Sequence, residues 1–144
     1  MIPLALACLM LVVFTTVIHY EVLSGLTATL PGLRIHPRAK LIVVILTVFL
    51  GHAVEIALYG LVLFLLINHS EVGTLNGEGG TSLRNCLYFS AETYTSLGFG
   101  DLVPLGQVRL IAGVEALNGL LLIGWSAAYA YISMERFWQG KNSN

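Results

Sequence analysis

From Leu41 to Asn68 the chain runs for 28 residues with only two side chains between its ends that can carry charge near neutral pH, His52 and Glu55. A helix of that length is about 42 Å long at a 1.5 Å rise, against a hydrocarbon core of about 30 Å. Such a segment fits a tilted membrane span, or one that continues past the interface. Two more apolar runs accompany it. The first is Ile2 to Ile18, extending towards Leu23, and the last runs from Leu105 to Met134 with Arg109 near its start. Trp125, Tyr129, Tyr131, Phe137 and Trp138 crowd the far half of the last run, and part of that group suits an interfacial aromatic belt. Only 10% of the 144 residues are charged, against about 25% in a soluble domain. A folded soluble surface would stay dry at that density, which argues against a cytosolic enzyme and a disordered tail. The net charge of −1 offers no footing for nucleic acid. The expected fold is an all-α membrane protein with three transmembrane helices and no enzymatic chemistry. No basic stretch precedes the first apolar run, so it reads as a span rather than a secretory signal.

Charge orients the spans. Arg34, Arg38 and Lys40 lie between the first two runs with no acid among them, and Arg136 and Lys141 follow the third. The link between the second and third runs holds Glu71, Glu78, Glu92 and Asp101 against a single Arg84 before Arg109. The positive-inside rule places the basic link and the C-terminus in the cytoplasm, with the N-terminus and residues 69–104 outside.

The outer link divides into parts. Residues 70–81 form a polar, glycine-rich loop. Thr81 or Ser82 then caps a short helix containing Leu87, Tyr88, Phe89 and Ala91, too short to span. It runs into Thr95-Ser96-Leu97-Gly98-Phe99-Gly100-Asp101. A short helix followed by a tight glycine segment between two spans reads as a re-entrant loop, which survives at membrane depth only when buried in protein or lining a water-filled cavity. Gly98 and Gly100 permit backbone angles that a residue with a Cβ resists.

Those residues resemble the selectivity filter of potassium channels, Thr-Thr-Val-Gly-Tyr-Gly-Asp in its commonest form. The likeness to the small bacterial two-helix potassium channels extends further. Tyr88-Phe89-Ser90-Ala91-Glu92-Thr93 stands where that group carries Trp-Trp-Ser-Val-Glu-Thr, and Asp101-Leu102-Val103-Pro104 continues its Asp-Leu-x-Pro. Arg109 follows one residue closer to the filter, then Gly119 and Gly124. The match covers roughly residues 41–138. It implies a potassium channel with an extra N-terminal span and basic link over 1–40 and a pore unit over 41–144. Within that unit it implies an outer helix at 41–68, an extracellular loop at 69–81, a pore helix at 82–95, a filter at 96–101 and an inner helix at 105–138.

The resemblance assigns K+ to the carbonyls of Ser96, Leu97, Gly98 and Phe99 and the Ser96 hydroxyl, with Gly100 completing the filter. Tyr88, Phe89, Glu92 and Asp101 become its support, Glu92 and Asp101 as a carboxyl–carboxylate pair with Tyr88 donating to Asp101. Gly119, Leu120, Ile123, Ala127 and Tyr131 become pore lining, with Gly119 as a hinge or a packing contact. One chain supplies one loop, so the implied unit is a homotetramer in lipid, in a bacterial inner membrane, with K+ as permeant ion and no organic cofactor. Two departures concern selectivity: Leu97 replaces valine and Ser96 replaces threonine. Two more go together, since Phe99 lacks the filter tyrosine's hydroxyl and Phe89 lacks the matching indole donor, which implies an apolar contact behind the filter. A weakly selective cation channel and a non-conducting scaffold or accessory subunit are the alternatives.

Four polar residues lie inside the spans. His52 and Glu55 share one helical face, as do Glu115 and Asn118, and groups at that depth face a bundle interior, a cavity or a partner. They read as a hydrogen-bond network between helices, with a proton-sensitive switch at His52 as the sharper reading. His19, Glu21 and His36 read as interface residues, and the histidines as too scattered for a metal site. Cys8 and Cys86 read as free thiols.

Overall fold

The computed structural model describes residues 2–139, as four helices and a two-stranded ribbon: α1 Ile2–Thr29, α2 Pro37–His69, β1 Gly73–Asn76, α3 Leu83–Tyr94, β2 Val103–Gly106 and α4 Val108–Gln139. A 3₁₀ turn, Leu30–Gly32, closes α1. α1 with this turn, α2 and α4 each contain a segment long and apolar enough to cross a membrane.

α1 runs well past the expected end at Ile18 or Leu23. Glu21 does not stop it, because Glu21 lies on the exposed face. The buried face is a continuous stripe of Leu4, Cys8, Leu11, Thr15, His19, Leu23, Leu26 and Leu30, spaced by threes and fours. Its upper part packs with Tyr59, Leu63, Cys86, Phe89, Tyr94 and Leu122 in one core. Its lower part meets Val44 and Val48 of α2 in a second. Pro31 and Gly32 end the helix, and Pro37 restarts the chain as α2 with the His36 ring accepting from the Arg38 amide.

α3 lies between α2 and α4, and two glycines set how closely. A Cβ on Gly60 would stand 2.9 Å from the Leu87 Cα, and one on Gly119 would stand 2.1 Å from the Tyr94 carbonyl oxygen. Ser82 caps α3 by accepting from the Asn85 amide at 3.2 Å.

The all-α expectation needs one correction. β1 and β2 pair antiparallel, with Gly73 opposite Gly106 and Leu75 opposite Pro104. This pairing begins the ordered last helix at Val108 rather than Leu105. A Cβ on Gly73 would lie 2.0 Å from the Leu105 oxygen, so the close approach depends on that glycine. Leu75 and Leu102 are buried beside the ribbon. The ribbon thus ties the loop after α2 to the chain immediately after Asp101.

Candidate functional site

The segment after α3 has an alternating backbone. Ser96, Gly98 and Gly100 have φ of +58°, +57° and +81°, while Leu97 and Phe99 between them do not enter the positive region. Ser96 is the one non-glycine with positive φ among the described residues, a conformation that a side chain resists. All five residues Ser96–Gly100 are exposed in the single chain. No backbone amide among the described residues donates to their carbonyls. These carbonyls are thus exposed and without a backbone donor among the described residues.

Glu92 anchors this segment. Its backbone carbonyl accepts from the amides of Leu97 at 2.8 Å and Gly98 at 3.3 Å. Its side chain accepts from the Phe99 amide at 3.2 Å. Glu92 is buried, and burial together with the Asp101 charge pushes its carboxyl above the usual range, against the opposing bonds from Phe99 and Tyr88. Partial desolvation, then Asp101 and Glu92, push the phenol of the largely exposed Tyr88 up. Tyr88 and Asp101 share the wall of an outer cavity of about 520 Å³ with Arg84 and Asn85. The structure therefore brings Tyr88, Glu92 and Asp101 together. It gives the two phenylalanines different settings: Phe89 is buried in the interhelical core, while Phe99 is exposed.

Behind the segment, polar side chains join the helices in three tiers. In the first, the Ser90 hydroxyl reaches the Ile56 carbonyl at 2.8 Å and a carboxyl oxygen of Glu115. The other Glu115 oxygen has no hydrogen-bond partner among the described residues. In the second tier, Asn118 donates to Thr15 at 2.8 Å and to the Tyr59 hydroxyl at 3.2 Å, joining α4 to α1 and α2.

The third tier centres on Glu55. His19 Nδ1 lies 3.0 Å from one carboxyl oxygen, and His52 Nδ1 lies 3.0 Å from the other. Tyr94 donates to the second oxygen as well and stands 2.9 Å from His52. Ser126 closes the group from α4, 3.0 Å from His52 Nε2 and 3.1 Å from His19 Nε2. The two histidine rings lie with centroids 5.1 Å apart.

This tier corrects two sequence expectations. His19 is not an interface residue: it is buried, well inside α1, which continues to Thr29. The histidines are not all scattered either, because the fold sets His19 and His52 against Glu55 with ligand atoms within 4.8 Å of one another. Sequence reasoning also passed over Thr15, Tyr59, Ser90, Tyr94 and Ser126. The available signal was their place on the buried stripes, since a polar residue in such a stripe needs a partner.

Gly119 takes the packing role rather than a place on the stripe that the resemblance assigns to the pore. It is buried against Tyr94, whereas Leu120, Ala127 and Tyr131 lie exposed and Ile123 half-buried. Cys8 and Cys86 are buried free thiols. A family model described as ion channel matches residues 43–136, which covers α3, the alternating segment and most of α2 and α4. No curated protein and no solved structure matches the chain.

Proposed function

The chain belongs to the ion channel pore-loop family, and on that premise we propose that it is a potassium-selective pore. It is a membrane protein whose family conducts ions passively. The observation that carries the finer reading is the alternating backbone of Ser96–Gly100 with its unpaired carbonyls. The carbonyls of Ser96, Leu97, Gly98 and Phe99 replace the water of a dehydrated K+. One chain presents one such row, so four chains around one axis complete the ring. The exposure of Leu97 (59%) and Phe99 (68%) in a single chain supports this, because large apolar side chains at such a site call for cover. In the tetramer Phe99 packs behind the neighbouring filter strand. α3 is the re-entrant pore helix, and the negative end of its dipole favours a cation below the filter. The exposed stripe of Leu120, Ala127 and Tyr131, with Ile123, lines the inner pore. The N-terminus lies outside and the C-terminal end of α4 in the cytoplasm, in a bacterial inner membrane.

Potassium efflux from proteoliposomes tests the reading. Wild-type protein should release K+ down its gradient, and Gly98→Ala should abolish release by forcing a side chain onto a backbone at φ +57°. Equal flux through both proteins would overturn a filter at Gly98. No flux through folded wild-type protein would favour the accessory-subunit reading.

A further inference from the structure

We propose that His19, His52 and Glu55 form a binding site for a divalent transition metal ion of the zinc class, clipping α1 to α2 beside the helix that precedes the filter. The donor set is two imidazole nitrogens and one carboxylate oxygen, the borderline ligands that zinc takes at catalytic and open structural sites. Both Nδ1 atoms stand 3.0 Å from Glu55 oxygens, and all three ligand atoms lie within 4.8 Å of one another. Ligand atoms held about 2.0–2.1 Å from a tetrahedral zinc lie about 3.3 Å apart. The cluster therefore closes on an ion once its widest ligand spacing shortens by up to about 1.5 Å.

The proton inventory points the same way. Both Nδ1 atoms face the carboxylate, and both Nε2 atoms face the single Ser126 hydroxyl. With two neutral imidazoles protonated on Nδ1, both Nε2 lone pairs compete for the one Ser126 proton. Positive charge at the Nδ1 pole relieves this, whether one added proton or a metal ion, and with a metal ion both Nε2–H groups donate to the two lone pairs of Ser126 Oγ. Metal-bound histidines are held in this way, with the second ring nitrogen donating to a fixed acceptor. Tyr94 donating to Glu55 orients the third ligand. A cavity of about 230 Å³ between α2 and α4, walled by Phe49, His52, Ser126 and Ala127, borders the cluster.

The site does not depend on the channel reading, and its test does not use current. Detergent-purified full-length protein is titrated with Co2+ alone, read by absorption, and then with Zn2+, read by displacement. We expect uptake of one ion per chain, intense tetrahedral d–d bands, loss of those bands on adding Zn2+, and a higher melting temperature with either metal. His19→Gln and His52→Gln should each weaken binding more than tenfold, and Ser126→Ala by about 10–100-fold. His36→Gln and His69→Gln should leave it unchanged. His52→Cys should keep binding and add a sulfur-to-cobalt charge-transfer band, so one variant gains a signal even if the glutamine variants fold poorly. No uptake by folded wild-type protein would overturn the proposal and leave the cluster held by protons alone. Binding that persists in the His19→Gln, His52→Gln double variant would overturn it too.

Discussion

Replacing Gly119 with alanine tests how the inner helix positions the filter. The added Cβ would lie 2.1 Å from the Tyr94 carbonyl oxygen, 2.9 Å from its carbon and 3.0 Å from the Tyr94 ring. Contacts under 3.0 Å essentially never occur, so α3 and α4 must separate by about 0.9 Å. The obstacle is backbone in the last turn of a helix, not the tip of a flexible side chain. Overpacking of this kind costs about 1–3 kcal/mol or more, against which alanine's better helix propensity returns about 1 kcal/mol. Gly113 and Gly124 provide matched controls on the same helix, because a Cβ at either meets nothing within 4 Å. The assay is thermal unfolding of the purified protein beside potassium flux in proteoliposomes. Gly119→Ala should lower the melting temperature and cut flux, and Gly119→Val should do both more severely. Gly113→Ala and Gly124→Ala should match wild type or exceed its stability. A hinge at Gly119 would instead alter opening while leaving the melting temperature in place. Gly119→Ala as stable as Gly124→Ala would refute the packing argument.

Three further outcomes follow. Glu92 has its folded value raised by burial and Asp101, so its contribution to stability is fully present below the ordinary carboxylate value and is lost as pH rises through the raised value. Melting temperature should therefore fall across that window in wild type and stay flat there in Glu92→Gln, and a flat wild-type profile would contradict the assignment. Tyr94→Phe removes the donor to Glu55 and should cost about 1–3 kcal/mol in denaturant unfolding, whereas Tyr88→Phe, at an exposed position, should cost far less. Phe89 is buried within the chain and Phe99 is exposed, so Phe99→Tyr combined with Phe89→Trp should leave inactivation in single-channel records unchanged; slowed inactivation would show that the two side chains meet between chains.

Much of the fold was legible because apolar length and the glycine spacing around Phe99 report on local chemistry. The segment from Ser82 to Asp101 was readable for that reason: cap, short helix and filter-like turn follow each other in sequence. The end of α1 was misjudged because Glu21 looked like a boundary, although a single charge on the exposed face leaves a helix intact. The buried stripe through His19, Leu23 and Leu26 carried the correction in its spacing. The ribbon was invisible because Gly73–Asn76 is four residues whose partner lies thirty residues away, across α3. The Glu55 tier was half visible. His52 and Glu55 are three apart on one helix, but His19, Tyr94 and Ser126 arrive from three other helices, and no local pattern announces a contact made in tertiary structure.

The central claim is that the carbonyl row of Ser96–Gly100 selects potassium. Its most direct test is the reversal potential of the purified protein in a planar bilayer with potassium on one side and sodium on the other. Each tenfold preference for one ion moves that potential by about 59 mV. A potassium-selective filter predicts a displacement beyond one such step towards the potassium equilibrium potential, abolished in Gly98→Ala. A reversal potential near zero with sustained current would contradict it and identify a weakly selective cation pore.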